Sequence, residues 1–296
     1  MTHPRVAGPL AHGPLVWLVV SFVCLSVAGC AEAPAVKRFA AASASAGEKF
    51  PEIANDIEES CERREKYRLL GRWGADLDSL EEVTALTCAE YGRAVSRLSG
   101  AHRVLIGYMK ALGNLSAGEI VSYDNPVDDL GDAVVGISGA DAKSVAAVKG
   151  VSEVLAEAVA GKWRNKQMST VIERTNADVQ ALVTALCETI EGDYGRLLDA
   201  ESEAARKFYL GLIKEHRGEE PLTAVLVYDR WLGEERAIEA RRETARSYAK
   251  VLHKIGRGHQ DLYDHRGALK SKDVRKLVLR HSTAIEDLAS NLGGAF

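Results

Sequence analysis

The chain has 296 residues, 46% of them apolar and 27% charged, with a formal net charge of -4. Ala, Glu, Leu, Arg and Lys dominate while Pro (7) and Phe (5) are scarce, a balance that favours long helices over sheet. Beyond the first thirty residues no apolar run approaches the roughly 20 residues that a membrane-spanning helix needs.

In chain order, Met1 to Pro14 carry Arg5 as their only formal cation, and the apolar run Leu15 to Ser26 follows. This is the layout of a secretory signal, with an apolar stretch too short to cross a bilayer. Val27-Ala28-Gly29-Cys30 comes next: an aliphatic residue, two small ones and a cysteine. The tetrapeptide resembles the lipobox of bacterial lipoproteins, and the resemblance covers residues 1–30 alone. It implies that 1–29 is a signal peptide removed in maturation, that Cys30 carries a thioether-linked diacylglycerol, and that the new amino terminus is acylated. Residues 30–35 then form a lipidated tether and 36–296 the folded domain. Ala31 stands where enterobacterial inner-membrane retention favours aspartate, so the resemblance implies the periplasmic face of the outer membrane. Two or three acyl chains hold a protein where one would not, since each buried methylene contributes about 0.8 kcal/mol.

After the tether, apolar spacing of three and four predicts a helix over 36–70 through Phe39, Ala46, Phe50, Ile53, Ile57 and Tyr67, kinked or interrupted at Pro51. A second helix runs from Asp76–Asp78 to Leu112, ended by Gly113-Asn114. A loop over 113–125, a short helix over 126–137 and a helix from 141 to about 160 follow. A long segment, 162–216, holds Val179, Leu182, Leu186, Ile190, Tyr194, Leu197, Ala204, Phe208 and Leu212 on one stripe, with Glu201 as a polar break and a possible restart at Asn176. A helix over 221–265 shows a plain heptad of Ile238, Ala245, Leu252 and His259 with Arg241, Tyr248, Ile255 and Leu262, and a last helix spans 271–292. Short turns between long helices predict an all-α, elongated up-and-down bundle of antiparallel neighbours.

Hairpin arithmetic gives two contacts. Folding about Gly74 makes facing residue numbers sum to about 148. Cys61 and Cys88 sum to 149, which places them at one height beside small neighbours and predicts a structural disulfide, leaving Cys187 as an inert apolar thiol. Folding about residues 217–220 sets Glu201 opposite Arg236, with Arg241 and Arg242 further along, and predicts a structural ion pair from Glu201 to Arg236 or one of these two.

Residues 250–280 carry Lys250, Lys254, Arg257, Arg266, Lys270, Lys272, Arg275, Lys276 and Arg280 against three aspartates, a net +6. The bundle order sets this basic end near the Gly74 turn, away from the lipid, where a protein or anionic envelope partner is expected. Nucleic acid is disfavoured by the export signal and the lack of interleaved aromatics. His253, His259 and His265 recur six apart on a helix and so point to three different faces, which argues against a metal. No nucleophile or phosphate-loop motif occurs. The expectation is a lipid-anchored envelope protein without catalytic residues, metal or cofactor, acting as a binding, scaffold or spacer module. The competing readings are an envelope enzyme with a metal in the His/Asp-rich C-terminal quarter, and a membrane-shaping lipid-binding bundle.

Overall fold

A computed structural model of the protein describes residues 33–71, 77–119, 142–161 and 168–292. Among them every regular element is helical: α1 Pro34–Gly47, α2 Phe50–Leu70, α3 Leu77–Ser116, α4 Ala142–Val159, α5 Met168–Cys187, α6 Gly195–His216, α7 Pro221–Asp264 and α8 Lys272–Ser290, with a π-helical segment, Glu188–Tyr194, joining α5 to α6. The short helix expected over 126–137 and the turn at Gly74 lie outside the described residues.

Proline placement explains three helix starts. Pro34, Pro51 and Pro221 each sit in a first turn, where a missing N–H leaves no intrahelical bond unmade. Pro51 therefore interrupts the expected first helix, which divides at Glu48-Lys49 into α1 and α2. Gly113-Asn114 does not stop α3, which continues to Ser116; the chain turns at Gly118, whose φ of 69° only glycine adopts freely. Asn176 starts no new helix either, and lies buried within α5.

Contacts between facing residues fix how the helices pair. Ala33 with Ser116, Ala40 with Gly113, Gly47 with Ile106, Phe50 with His102 and Cys61 with Cys88 keep the sums of facing residue numbers between 149 and 153. The broken rod α1–α2 thus runs opposite to α3 along its whole length. On the other side, Asn176 meets Gln260, Gln180 meets Gly256, Cys187 meets Ala249 and Asp199 meets Arg242, so α5–α6 descends as α7 climbs. All eight heptad residues of α7 are buried. Phe39 of α1 reaches this seam at Gly258, where a Cβ would stand 2.4 Å from its ring, so only glycine permits the approach. α8 lies on α1 and α7, tied by Arg38 to Glu286 and by His281 to Asp261, and buries Val274, Val278 and Ile285.

Candidate functional site

Cys61 and Cys88 form a disulfide between α2 and α3, with Cα atoms 5.8 Å apart and a sequence separation of 27. Both residues are buried. Replacing both with alanine is expected to lower stability by about 3.5 kcal/mol, the loop-entropy value for a closed segment of this size. Urea unfolding with and without reductant checks it: reductant should shift the native protein's midpoint and leave the variant's unmoved.

Below this bridge lies a buried cluster of charges. Glu201 on α6 is 0% exposed. One carboxylate oxygen accepts from Arg63 Nε of α2 at 2.7 Å and from Arg241 of α7 at 2.8 Å, and the other accepts from the Ser60 hydroxyl at 2.5 Å. Asp56 accepts from Arg63 at 2.6 Å and from the Tyr194 hydroxyl at the end of the π segment. Two carboxylates thus balance two guanidiniums, and a buried charge is tolerated only with such pairing. Burial disfavours the Arg63 cation, but the hydrogen bond and charge of Glu201, with those of Asp56, outweigh it and hold the group above its usual range. Burial, and then the Asp56 charge, push the Tyr194 hydroxyl up. Arg241 Nε is buried without a hydrogen-bond partner among the described residues and stands 3.6 Å from Asp56.

The ion pair expected of Glu201 forms with Arg241, one of the three arginines set opposite it, and not with Arg236, which donates to the Leu232 carbonyl of its own helix at 3.0 Å and is exposed. Helical side chains lean toward their own N-terminus. Glu201 consequently leans away from the 217–220 turn, and Arg236, level with it, leans toward the turn. Arg241, five residues deeper, leans back to meet the carboxylate.

A second buried network links α3, α5 and α7. His259 Nδ1 is 2.9 Å from the Asn176 carbonyl oxygen, which only accepts, so the ring hydrogen sits on Nδ1. Nε2 then accepts from the Tyr108 hydroxyl at 2.8 Å, and the Thr175 hydroxyl lies 2.8 Å from Tyr108. Asn176 donates onward to Gln260 at 2.8 Å. One turn-pair away, His102 stacks on Phe50 at 3.9 Å and its Nε2 lies 2.6 Å from the Tyr248 hydroxyl. Burial drives both histidines down to about 3, so each is neutral at ordinary pH.

The remaining histidines disperse. His281 pairs with Asp261 at 2.6 Å, His265 Nδ1 faces the Asp261 carbonyl oxygen at 2.9 Å, and His253 stands 3.7 Å from Glu191. Among the described residues no three His, Cys, Asp or Glu side chains are grouped to hold a metal ion. Cys187 is buried, and burial followed by the charges of Glu191 and Glu188 pushes its thiol up to about 12, far from a reactive thiolate.

The basic residues do not stand where the bundle order set them. Gly258 of α7 meets Phe39, five residues after α1 begins, and His259 meets Tyr108, eight before α3 ends. The C-terminal end of α7 thus lies at the end of the domain where α1 begins, and α8 starts from that end and turns back to bring Glu286 to Arg38. Tyr67, near the end of α2, packs instead on Phe208 and Tyr209. The reason is α4: Glu157 pairs with Arg174 and Gly150 abuts Asp178, so α4 runs opposite to α5 and back toward the end where α3 finishes. That reverses the sense of every later helix. Within the basic stretch, Lys250 reaches Glu243 at 3.9 Å, Arg257 donates to the His253 carbonyl, and Arg266 pairs with Glu173 at 3.0 Å over the Tyr263 ring. Lys254 lies half-buried on α7, while Lys270, Lys272, Arg275, Lys276 and Arg280 are exposed.

Sequence reasoning missed Asp56 and Arg63 and the hydrogen-bond partners of Tyr194 and His259, although it set Tyr194 on an apolar stripe and His259 at a heptad core position. The π segment had a legible trace: Leu182, Leu186, Ile190 and Tyr194 advance in three consecutive steps of four, a spacing too wide for a straight 3.6-residue helix. Comparison with known protein families, curated proteins and solved structures finds no match for this chain.

Proposed function

We propose that this chain is a lipid-anchored protein of the cell envelope, held through Cys30 at the periplasmic face of the outer membrane, whose domain binds or spaces without catalysis. The observation that carries the reading is the signal-like segment ending at Val27-Ala28-Gly29-Cys30, three residues before a domain that begins at Ala33. Its helices form a bundle in which α1–α2 runs opposite to α3, α4 opposite to α5, and α5–α6 opposite to α7; α3 alone, at 40 residues, extends about 60 Å. A non-catalytic role is supported by the use of the buried polar groups. Glu201, Asp56, Arg63, His102 and His259 all bond to other side chains of the core, and the reactive-type residue Cys187 is buried and protonated. Among the described residues no helix is long and apolar enough to cross a membrane, so the acyl chains carry the attachment. Mass spectrometry of the amino-terminal peptide from isolated membranes tests this. A diacylglycerol-modified Cys30 is expected, and Cys30→Ser should move the protein into the soluble envelope fraction. An unmodified chain beginning at Met1 would overturn the reading.

A further inference from the structure

We infer that the end of the domain where α1 begins is a docking surface for an anionic phospholipid bilayer, with Lys270, Lys272, Arg275, Lys276 and Arg280 making the contact. This rests on the lipid-anchor reading for the source of the bilayer, and four observations lead to it. All five cations are exposed, and no carboxylate among the described residues lies within ion-pair range of any of them. Several arginines elsewhere are paired with carboxylates, Arg174 with Glu157, Arg206 with Glu203 and Arg242 with Asp199.

The helix itself gives these residues no reason to be there. An α-helix carries partial positive charge at its N-terminus and so favours anions in its opening turns. α8 opens with Lys272, Arg275 and Lys276 and has Asp273 as its only first-turn acid. Their charges add to the terminal dipole and concentrate positive potential at this end of the domain.

Spacing adds direction. Lys272, Arg275, Lys276 and Arg280 follow one another at intervals of three, one and four and share one face, opposite the buried Val274, Val278 and Ile285. Finally, this end receives the tether. Cys30 stands three positions before Ala33, a chain length that spans at most about 11 Å. A lipidated Cys30 would keep the cations at high effective concentration over the leaflet, where each adds roughly fivefold to partitioning.

The test uses residues 33–296, the compact unit that contains the whole described core, and therefore needs no lipid. Co-sedimentation with vesicles of phosphatidylcholine containing about one-third phosphatidylglycerol should capture this domain at low salt, and pure phosphatidylcholine should not. Joint reversal by Lys272→Glu, Arg275→Glu, Lys276→Glu and Arg280→Glu should weaken capture at least tenfold. Reversal of Lys66, Lys214 and Arg217 at the opposite end should leave it unchanged. Circular dichroism of each variant establishes that it folds, and loss of capture in high salt tests the native sequence without any substitution. Equal capture on neutral vesicles, no capture on anionic ones, or full capture by the α8 variant would each overturn the inference. An unacylated Cys30 in the cell-derived protein would instead overturn the anchor reading, while the vesicle comparison still decides the surface.

Discussion

Glu201→Ala is expected to cost about 3–5 kcal/mol of folding stability, whereas Arg236→Ala should cost less than about 0.5 kcal/mol. Glu201 is wholly buried and accepts from Arg63, Arg241 and Ser60, so its removal leaves Asp56 as the only buried carboxylate beside two guanidiniums, with Arg63 also reaching the exposed Glu59 and Arg241 left with Asp56 at 3.6 Å. The uncompensated cation, more than the lost hydrogen bonds, sets the magnitude. Arg236 is exposed and bonds only to its own helix. The double variant Glu201→Leu with Arg241→Leu removes one charge of each sign and leaves Asp56 paired with Arg63 and Tyr194. It should recover more than half of the loss seen in Glu201→Ala. Urea unfolding of these variants, and of Glu201→Leu and Arg241→Leu singly, measures this. A double variant as unstable as the sum of its single changes would show that the charges are not coupled and that packing alone explains the cost.

This cluster also marks where the sequence could be read and where it could not. The heptad of α7 was legible because eight positions repeat at fixed spacing, and all eight are buried. Cys61 and Cys88 were legible because cysteine is short: its sulfur stays at the height of its own Cα, so counting residues from a turn locates it. The same counting failed for Glu201 because carboxylate and guanidinium lean in opposite senses on antiparallel helices, displacing the true partner by five residues. A better signal was present. Glu201 interrupts one apolar stripe and Arg241 occupies a heptad position of another, and two buried charges of opposite sign must find each other. Asp56 and Arg63 carried no such mark, since both read as ordinary charged residues of a helix whose partners lie 138 positions away. The basic end was misplaced for a topological reason. Counting alternating passes requires every pass to be recognised, and nothing in the apolar spacing of α4 shows which way it runs.

Acid should weaken this fold before its carboxylates titrate. His102 and His259 are buried and neutral, driven by burial to about 3, against about 6.5 in an unfolded chain. Between those values the unfolded state binds a proton at each site and the native state does not. Stability is therefore full above about pH 6.5 and falls as the pH drops toward 3, by about 1.4 kcal/mol per pH unit for each histidine. The pair together should lose about 3 kcal/mol between pH 6.5 and 5. Geometry gives the same sign. Protonating His259 would add a hydrogen to Nε2, which already accepts from Tyr108, while Nδ1–H is committed to Asn176. The ring of His102 is likewise enclosed between Phe50 and Tyr248. Urea midpoints measured every half unit from pH 7.5 to 5 test the slope, and His259→Gln should roughly halve it even if the variant starts from a lower stability. A flat profile over that range would mean that both rings accept a proton without leaving the core, and that the Tyr108–His259–Asn176 chain has a second, charged arrangement of its hydrogen bonds.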